Sequence, residues 1–160
     1  MTRADWVTAV LVLHVMGAVV ALGFSLTYGL WGARGDRAGV AERAFALRTI
    51  SWIDRRFTTP AYVLQAVTGL VLVSLIGWSL LKESWLEISI GIYVALTVLA
   101  ITVYAPAHRR QTALAEQLVG GAEVGADYTE AASAARVWGV VVTVLTVAIV
   151  VLMVWQPTFW

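Results

Sequence analysis

Long apolar runs alternate with shorter polar segments along the chain. The first run extends from Trp6 to Trp31 and has a histidine, His14, within it. Three further runs cover residues 57–80, 86–106 and 136–156. An α-helix rises about 1.5 Å per residue, so runs of this length cross the hydrocarbon core of a bilayer. The pattern predicts an all-α polytopic membrane protein, with four transmembrane helices forming one bundle and residues 1–160 forming one domain.

The polar segment after the first run has a helical pattern of its own. Between Ala38 and Ile53, apolar residues recur at helical spacing, with Glu42, Arg43 and Arg48 between them. This pattern predicts an amphipathic helix between the first and second transmembrane helices. Two interpretations of its position are open: it lies on the membrane surface, or it packs on the end of the bundle.

Local signals predict where the later helices begin and bend. Pro60 falls in the first turn of the second transmembrane helix, where a missing N–H costs nothing. Pro106 is expected to kink or interrupt the third helix. Asp127 and Glu130 have the spacing of a capping box, which predicts the start of the fourth helix.

Basic residues are distributed unequally between the two ends of the predicted bundle. One end holds only Arg3 and Lys82, and the two long connections hold the others. The positive-inside rule therefore predicts that both termini face outward and that both long loops are cytoplasmic. Tryptophans fall at the same two levels, as expected for aromatic belts. The outer ones are Trp6, Trp78, Trp85, Trp155 and Trp160, and the inner ones are Trp31, Trp52 and Trp138.

Composition supports the membrane assignment and excludes several kinds of site. The chain is 60% hydrophobic and 13% charged, against about 25% charged residues in soluble domains. It has no cysteine, which excludes disulfides, thiolate nucleophiles and cysteine-ligated metals. The net charge of +1 gives no general attraction to nucleic acid. Because arginine outnumbers lysine and Ala, Val and Gly are abundant, we expect a multi-pass protein of the bacterial plasma (inner) membrane.

Polar residues inside the spans fall at similar depths when they are counted from the outer tryptophans. His14 lies roughly 12 Å below Trp6, at about 1.5 Å per residue, and Tyr93 and Thr146 lie at nearly the same depth, with Thr68 and Gly69 close to it. His14 also shares a helix face with small residues that allow close helix approach, Gly17, Ala18, Ala21 and Ser25. The predicted intramembrane polar network comprises His14, Gln65, Thr68, Tyr93, Thr97, Thr143 and Thr146.

Two main interpretations of His14 are open, beside a role in protonation or transport and a contact with a partner subunit. In the first, pairs such as His14 with Tyr93, and Gln65 with Thr97 or Thr143, form interhelical hydrogen bonds that hold the helices in register. In the second, His14 binds a b-type haem or a copper ion, with Tyr93 as a second cofactor-binding candidate. One haem cannot use both histidines, because His108 lies some 20 Å or more deeper in the predicted bundle by the same count. The sequence predicts that His108 lies at a solvated helix end. His14 is therefore the predicted metal ligand.

Arginines at the inner ends of the helices are candidates for lipid binding. Such rings commonly bind anionic headgroups. The predicted headgroup ligands are Arg55, Arg56, Arg109, Arg110 and Arg136. The sequence shows no phosphate-binding glycine loop, no nucleophile with its base and no pair of catalytic carboxylates, so we predict no catalytic residue.

Several short motifs resemble a bacterial family of predicted four-helix integral membrane proteins of unknown function. They are Leu13-His14-Val15-Met16-Gly17-Ala18, Phe57-Thr58-Thr59-Pro60, Thr68-Gly69, Arg109-Arg110 and Val137-Trp138-Gly139. Such proteins are distantly similar to the copper-resistance D membrane proteins and to HemJ-type protoporphyrinogen oxidases. In the HemJ-type proteins a first-helix histidine is linked to haem, so the resemblance implies haem b at His14. The segment 134–138 departs from the more basic, Asn-containing approach expected there.

Three functions follow from these observations. The leading hypothesis is an accessory or scaffold subunit, without catalysis of its own, that packs against other membrane proteins or forms a homo-oligomer. The alternative is a haem-binding or copper-binding membrane protein that uses His14. The third is a small-molecule or ion carrier, which requires oligomerisation because one small bundle leaves little room for a pore.

Overall fold

The protein is an all-helical bundle. The computed structural model describes residues 2–78 and 83–159, and all regular secondary structure within them is helical. The α-helices are α1 Arg3–Ala38, α2 Val40–Ile53, α3 Thr59–Ile76, α4 Ser84–Leu99, α5 Ala105–Val119 and α6 Gly125–Trp155. Two π-helical turns, Asp54–Thr58 and Ala100–Tyr104, connect α2 to α3 and α4 to α5.

Four long helices result from these connections, and each is long and apolar enough to cross a membrane. They are Arg3–Ala38, Val40–Ile76, Ser84–Val119 and Gly125–Trp155. The predicted four-helix membrane bundle is thereby confirmed. Each helix continues past its apolar run into polar residues at one end of the molecule. We call this end, which contains residues 34–56 and 107–136, the arginine-rich end.

The long helices form two antiparallel hairpins. In the first, α1 packs along α2 and α3, and the chain reverses at Gly39, whose φ of 138° is in the region that favours glycine. In the second, α6 packs along α4 and α5. The hairpins contact each other through α1 with α6 and through α2 with α5. Tyrosine side chains also connect the two hairpins: the hydroxyl of Tyr62, on α3, lies 2.9 Å from Thr146 Oγ1, on α6.

Both internal prolines lie two residues past a π-helical turn. A proline ring clashes with the carbonyl four residues earlier and lacks the N–H that would bond it. In each case the carbonyl four residues before the proline lies in the wider π-helical turn, where the backbone is already out of α-helical register. The clash and the missing hydrogen bond are accommodated there. The third helix is therefore continuous through Pro106, so the interruption that was one of the two predicted outcomes is absent. Pro60 is the second residue of α3, in its first turn as predicted, although a π-helical turn joins α3 to α2 without a break.

The amphipathic segment forms α2 and packs on the end of the bundle. Its apolar face lies in a buried cluster with residues of α5 and α6. The cluster consists of Ala44, Leu47, Ile50, Ala115, Tyr128 and Ala132. Of the two interpretations open from the sequence, the structure supports packing against the bundle, because α2 is continuous with α3 and its apolar face is covered.

Helix α6 begins differently from the prediction. Its first residue is Gly125 and its N-cap is Val124, which makes no side-chain capping bond. Asp127 and Glu130 lie inside the helix and face Arg110, at 3.7 and 3.6 Å. The predicted capping box is therefore wrong, because an ion pair with α5 occupies these carboxylates. A capping box does exist at the start of α1, between Thr2 and Asp5.

The end opposite the arginine-rich end is closed by aromatic and capping contacts. Trp85 is only 3% exposed and packs edge-on against Trp78, with ring centroids 5.1 Å apart. Arg3 Nε donates to the carbonyl of Leu75, 2.7 Å away, at the end of α3. Trp6 and Trp155 are exposed, as a belt tryptophan would be. Lys82 and Trp160 lie outside the described residues.

Candidate functional site

His14 lies on the face of α1 that packs against α3. Gly17 and Ala21, on the same face, are buried, so the small-residue face forms the contact between the two helices. The imidazole lies against Gly69 of α3, where an added Cβ would be 3.4 Å from His14 Cε1. The ring is thus in van der Waals range of this part of the neighbouring helix. The His14 side chain itself is half-buried.

Hydrogen bonds fix the tautomer of His14. Nδ1 lies 2.8 Å from Thr68 Oγ1, and the Thr68 hydroxyl donates to the carbonyl of Leu64 at 2.6 Å. A hydroxyl has one proton, so donation to Leu64 leaves Thr68 Oγ1 as an acceptor for Nδ1–H. This arrangement forms two hydrogen bonds where the reverse polarity would form one. The neutral imidazole therefore has its lone pair on Nε2.

Nε2 of His14 has no hydrogen-bond partner among residues 2–78 and 83–159. The protein does not fully enclose this nitrogen, so it reaches the surface of the bundle. An unpaired polar atom within an apolar span is costly, because lipid tails cannot hydrogen-bond it. Chemically, the site offers one oriented imidazole lone pair that can bind a metal or accept a proton from a partner.

Gln65 supports the backbone of the same site. Its side-chain Nε2 donates to the carbonyl oxygen of His14. The amide fills the space beside Gly17, where an added Cβ would lie 2.6 Å from Gln65 Nε2. Gln65 thus bonds α1 to α3, whereas the sequence predicted bonds to Thr97 or Thr143.

Tyr93 belongs to a different cluster, which joins α3, α4 and α6. Its hydroxyl donates to the carbonyl of Tyr62 at 2.7 Å, and the Tyr62 hydroxyl lies 2.9 Å from Thr146 Oγ1. The predicted pairing of Tyr93 with His14 is wrong, because α1 and α4 are not neighbours in the described part of the bundle and the Tyr93 hydroxyl bonds α3 instead. Sequence analysis missed Tyr62, although its phenol within an apolar span was a usable signal.

Two further members of the predicted network make only local bonds among the described residues. The hydroxyl of Thr97 donates to the carbonyl of Tyr93, and that of Thr143 donates to the carbonyl of Gly139. Each bond runs four residues back along its own helix, which satisfies a hydroxyl in lipid without a neighbouring helix. The seven residues therefore divide into a His14 cluster, a Tyr62 cluster and two isolated threonines.

His108 is not the solvated helix end that the sequence suggested. Its ring stacks on Tyr104, with centroids 5.8 Å apart, and Nε2 lies 3.1 Å from Ser51 Oγ. This contact holds α5 beside α2 at the arginine-rich end. Burial lowers the pKa of His108 below its ordinary value. The difference arises because α2 packs on α5 and covers a surface that would otherwise be exposed.

Asp36 organises a polar network at the arginine-rich end that sequence analysis missed. Its carboxylate accepts from the Tyr128 hydroxyl at 2.8 Å and lies 2.9 Å from Arg43 Nε. Arg136 lies 3.8 Å from the other carboxylate oxygen, and the Arg43 guanidinium lies over the Tyr128 ring, 4.6 Å from its centroid. Burial raises the pKa of Tyr128. The network joins α1, α2 and α6.

The predicted headgroup arginines differ in their surroundings. Arg110 pairs with Asp127 and Glu130, and Arg136 pairs with Asp36. Arg55, Arg56 and Arg109 are exposed and have no carboxylate within 4 Å among the described residues, although Arg55 interacts electrostatically with the adjacent Asp54. The structure thus separates arginines that lie within 4 Å of carboxylates from arginines that are more available to an external anion.

The described residues provide no group of three or more His, Asp or Glu side chains able to hold a metal ion. A bare copper ion at His14 would need further protein ligands, whereas a haem supplies four nitrogens of its own. The donor set at His14 therefore fits a metalloporphyrin better than a free ion.

Comparison with known proteins agrees with this architecture. No curated protein and no solved structure matches the chain. A family model described as "Predicted integral membrane protein (DUF2269)" matches residues 8–157, which is nearly the whole chain. The resemblance to a four-helix membrane family of unknown function is thereby confirmed. The chain belongs to this family of predicted integral membrane proteins.

Proposed function

We propose that the protein binds haem b in the membrane through Nε2 of His14. The observation that supports this proposal is the fixed tautomer, in which Nδ1–H is held by Thr68 and the Nε2 lone pair reaches the surface. Histidines that ligate metals typically donate their other ring N–H to a neighbouring acceptor, which fixes ring orientation. The resemblance at His14 to the HemJ-type proteins points to the same group.

The chain's own residues would orient the ligand rather than react. Thr68 holds the ring through Nδ1, Gln65 holds the backbone of His14, and Gly69 lies beside the ring. A bound haem would supply one-electron redox chemistry, and His14 is the residue that would hold it. These three supports come from one neighbouring helix, so the site depends on the packing of α1 against α3.

The direct test is an absorption spectrum of the protein purified gently from its own membranes, with and without dithionite. We expect a reducible Soret band that His14→Ala abolishes while the far-ultraviolet circular dichroism of the helices is unchanged. Ferric haem titrated into the colourless His14→Ala protein should give no such band. A wild-type protein that is colourless and takes up no added haem would overturn the proposal.

Two threonines provide a matched pair of variants. Thr68→Val removes the acceptor for Nδ1–H, and losses of supporting contacts typically weaken metal binding by about 10–100-fold. Thr146→Val removes a buried hydroxyl that bonds Tyr62 and is not bonded to His14. We expect Thr68→Val to weaken haem binding and Thr146→Val to leave it unchanged. Equal effects of both variants would show that general packing, and not the tautomer, governs binding.

The second candidate function is the accessory subunit, and a groove on α1 favours it. The groove has a volume of about 230 Å³ and is lined by Val19, Val20, Gly23, Phe24 and Thr27. No atom lies within 4 Å of a Cβ added at Gly23. Glycine on a transmembrane helix surface lets another helix approach closely. The proposed occupant is an apolar transmembrane helix of another membrane protein.

Glycine substitutions test this docking. Gly23→Leu fills the groove, and Gly91→Leu makes the same change at another open position, on α4. A partner that co-purifies with the wild type in a fixed ratio should be lost from Gly23→Leu and retained by Gly91→Leu. Recovery of a clean monomer from all three proteins in mild detergent would count heavily against a subunit role.

We also propose the orientation in which the arginine-rich end faces the cytoplasm of a bacterial cell. The support is the positive-inside distribution of arginine. Because the chain has no cysteine, single cysteines report cleanly on sidedness. Ala41→Cys should be protected from a membrane-impermeant maleimide in intact cells, and Thr158→Cys should be labelled. The reverse result would invert the topology.

A further inference from the structure

The arginines of the arginine-rich end fall into two groups. One group pairs with carboxylates within 4 Å, as Arg48 does with Glu116 at 3.9 Å. Its members are Arg43, Arg48, Arg110 and Arg136. The other group has no carboxylate within 4 Å in the described part of the chain, although Arg55 interacts electrostatically with the adjacent Asp54. Its members are Arg34, Arg37, Arg55, Arg56 and Arg109.

Three of the unpaired arginines lie on one side of the junction between α2 and α5. The Ser51–His108 contact fixes which residues of these two helices face each other. Successive residues of a helix are rotated by about 100° around its axis. Because α2 and α5 are antiparallel, the residues that follow Ser51 and His108 turn toward the same side of the junction, which places Trp52 beside Arg109. The pair Arg48–Glu116 lies on this side as well, which agrees with the rotation.

Arg55 and Arg56 lie about one turn nearer the membrane on the same side of α2. They belong to the π-helical turn that immediately precedes the apolar run. Arg55 Nε donates to the carbonyl of Ser51, and its two terminal nitrogens have no partner among the described residues. Trp52 and Phe57 are exposed here and pack edge-on, with centroids 5.7 Å apart. An exposed tryptophan at the end of an apolar run marks the headgroup level.

We infer that this interface patch, formed by Trp52, Arg55, Arg56 and Arg109, binds the phosphate of an anionic phospholipid. Guanidinium groups bind phosphate oxygens in bidentate geometry, and the planar indole packs against the glycerol and upper acyl region. The paired arginines at the same end lie within 4 Å of carboxylates, which offset part of their positive charge. The patch therefore favours anionic over zwitterionic lipid, independently of whether His14 binds haem.

The test is native mass spectrometry of the detergent-purified full chain titrated with phosphatidylglycerol, with phosphatidylcholine as the reference. The wild type should retain phosphatidylglycerol in preference to phosphatidylcholine. Each arginine near a lipid surface is worth about a fivefold change in binding, so Arg55→Gln with Arg56→Gln should weaken phosphatidylglycerol binding by about 30-fold. Arg109→Gln should weaken it by about fivefold.

The matched control is Arg48→Gln with Arg110→Gln, which removes the same charge from exposed arginines that have carboxylate partners. This control should bind phosphatidylglycerol like the wild type. Equal losses in both double variants would overturn the inference in favour of a general charge effect. Competition by inorganic phosphate at the lipid concentration would also overturn it, because the site would then bind a free anion. Unchanged circular dichroism in both variants excludes misfolding.

Discussion

Gly17→Ala and Gly23→Ala should change stability in opposite directions, although both glycines lie on α1 six residues apart. An added Cβ meets no atom within 4 Å at Gly23, whereas at Gly17 it would lie 2.6 Å from Gln65 Nε2. Gln65 is flexible enough to move, but moving breaks its bond to the His14 carbonyl. The effect of Gly17→Ala is thus a lost hydrogen bond rather than a steric clash with backbone.

The expected magnitude follows from three contributions. Replacing glycine by alanine within a helix favours the folded state by about 1 kcal/mol at either position. At Gly17 this gain is offset by the lost interhelical bond, about 0.6–1.7 kcal/mol. Leaving the amide without a partner costs about 1–3 kcal/mol more. Gly23→Ala should therefore stabilise the bundle by up to about 1 kcal/mol, and Gly17→Ala should be about 2–5 kcal/mol less stable than Gly23→Ala.

Unfolding by sodium dodecyl sulfate in mixed micelles, followed by far-ultraviolet circular dichroism, measures both free energies. The decisive experiment repeats both substitutions in a Gln65→Ala background. There the difference between the two alanine variants should fall below about 0.5 kcal/mol, the usual limit for uncoupled sites, because the Gln65 amide, 2.6 Å from the added Cβ, has been removed. If the difference persists without Gln65, or if both variants change stability equally in the wild type, the proposed role of Gln65 is refuted.

Three further predictions concern the two polar clusters nearest the arginine-rich end. Tyr128→Phe should lower the free energy of unfolding by about 1.5–3 kcal/mol, since it deletes a hydrogen bond to the Asp36 carboxylate; no change in a chemical unfolding curve would contradict this. Stability should decrease as pH falls below about 6.5, because the unfolded chain protonates His108 while burial keeps its folded-state pKa lower. His108→Gln should flatten that part of the pH profile, and an unaltered profile would exclude His108 as the cause. Gly139→Ala should destabilise by about 1–2 kcal/mol, because its Cβ would lie 3.2 Å from Tyr104, which is stacked on His108 and cannot retreat freely; thermal stability equal to that of wild type would show that the ring moves.

The depth of each polar residue was predictable from the sequence, whereas its partner was not. Counting from the tryptophans placed His14 close to the level of Thr68, and these two are hydrogen-bonded. The same count placed Tyr93 at that level too, yet Tyr93 bonds Tyr62. Depth follows from the constant helical rise and the membrane boundaries. The partner depends on which helices are neighbours and how each is rotated, which no count along one helix contains.

The arginine-rich end shows a related difference. Its arginines were recognisable from the sequence as a group. Which of them are neutralised depends on residues distant in the chain, such as Arg136 and Asp36, 100 positions apart. Likewise the pattern of α2 predicted an apolar face, but its position against α5 and α6 is a property of the packed bundle. The charge of a residue is known from the sequence, whereas its ion-pair partner is known only from the tertiary structure.

By itself, the sequence determined that this protein crosses the membrane in four helices, because apolar length decides whether a segment can span lipid and every backbone group there must bond within its own helix. It also identified His14 as the unusual residue in the first span. Only the tertiary structure decided which proton His14 keeps and which nitrogen is free, because Thr68 and Leu64 of the neighbouring helix determine that polarity. Whether a segment crosses the membrane depends on that segment alone, whereas the chemistry of a site depends on the contacts between packed helices.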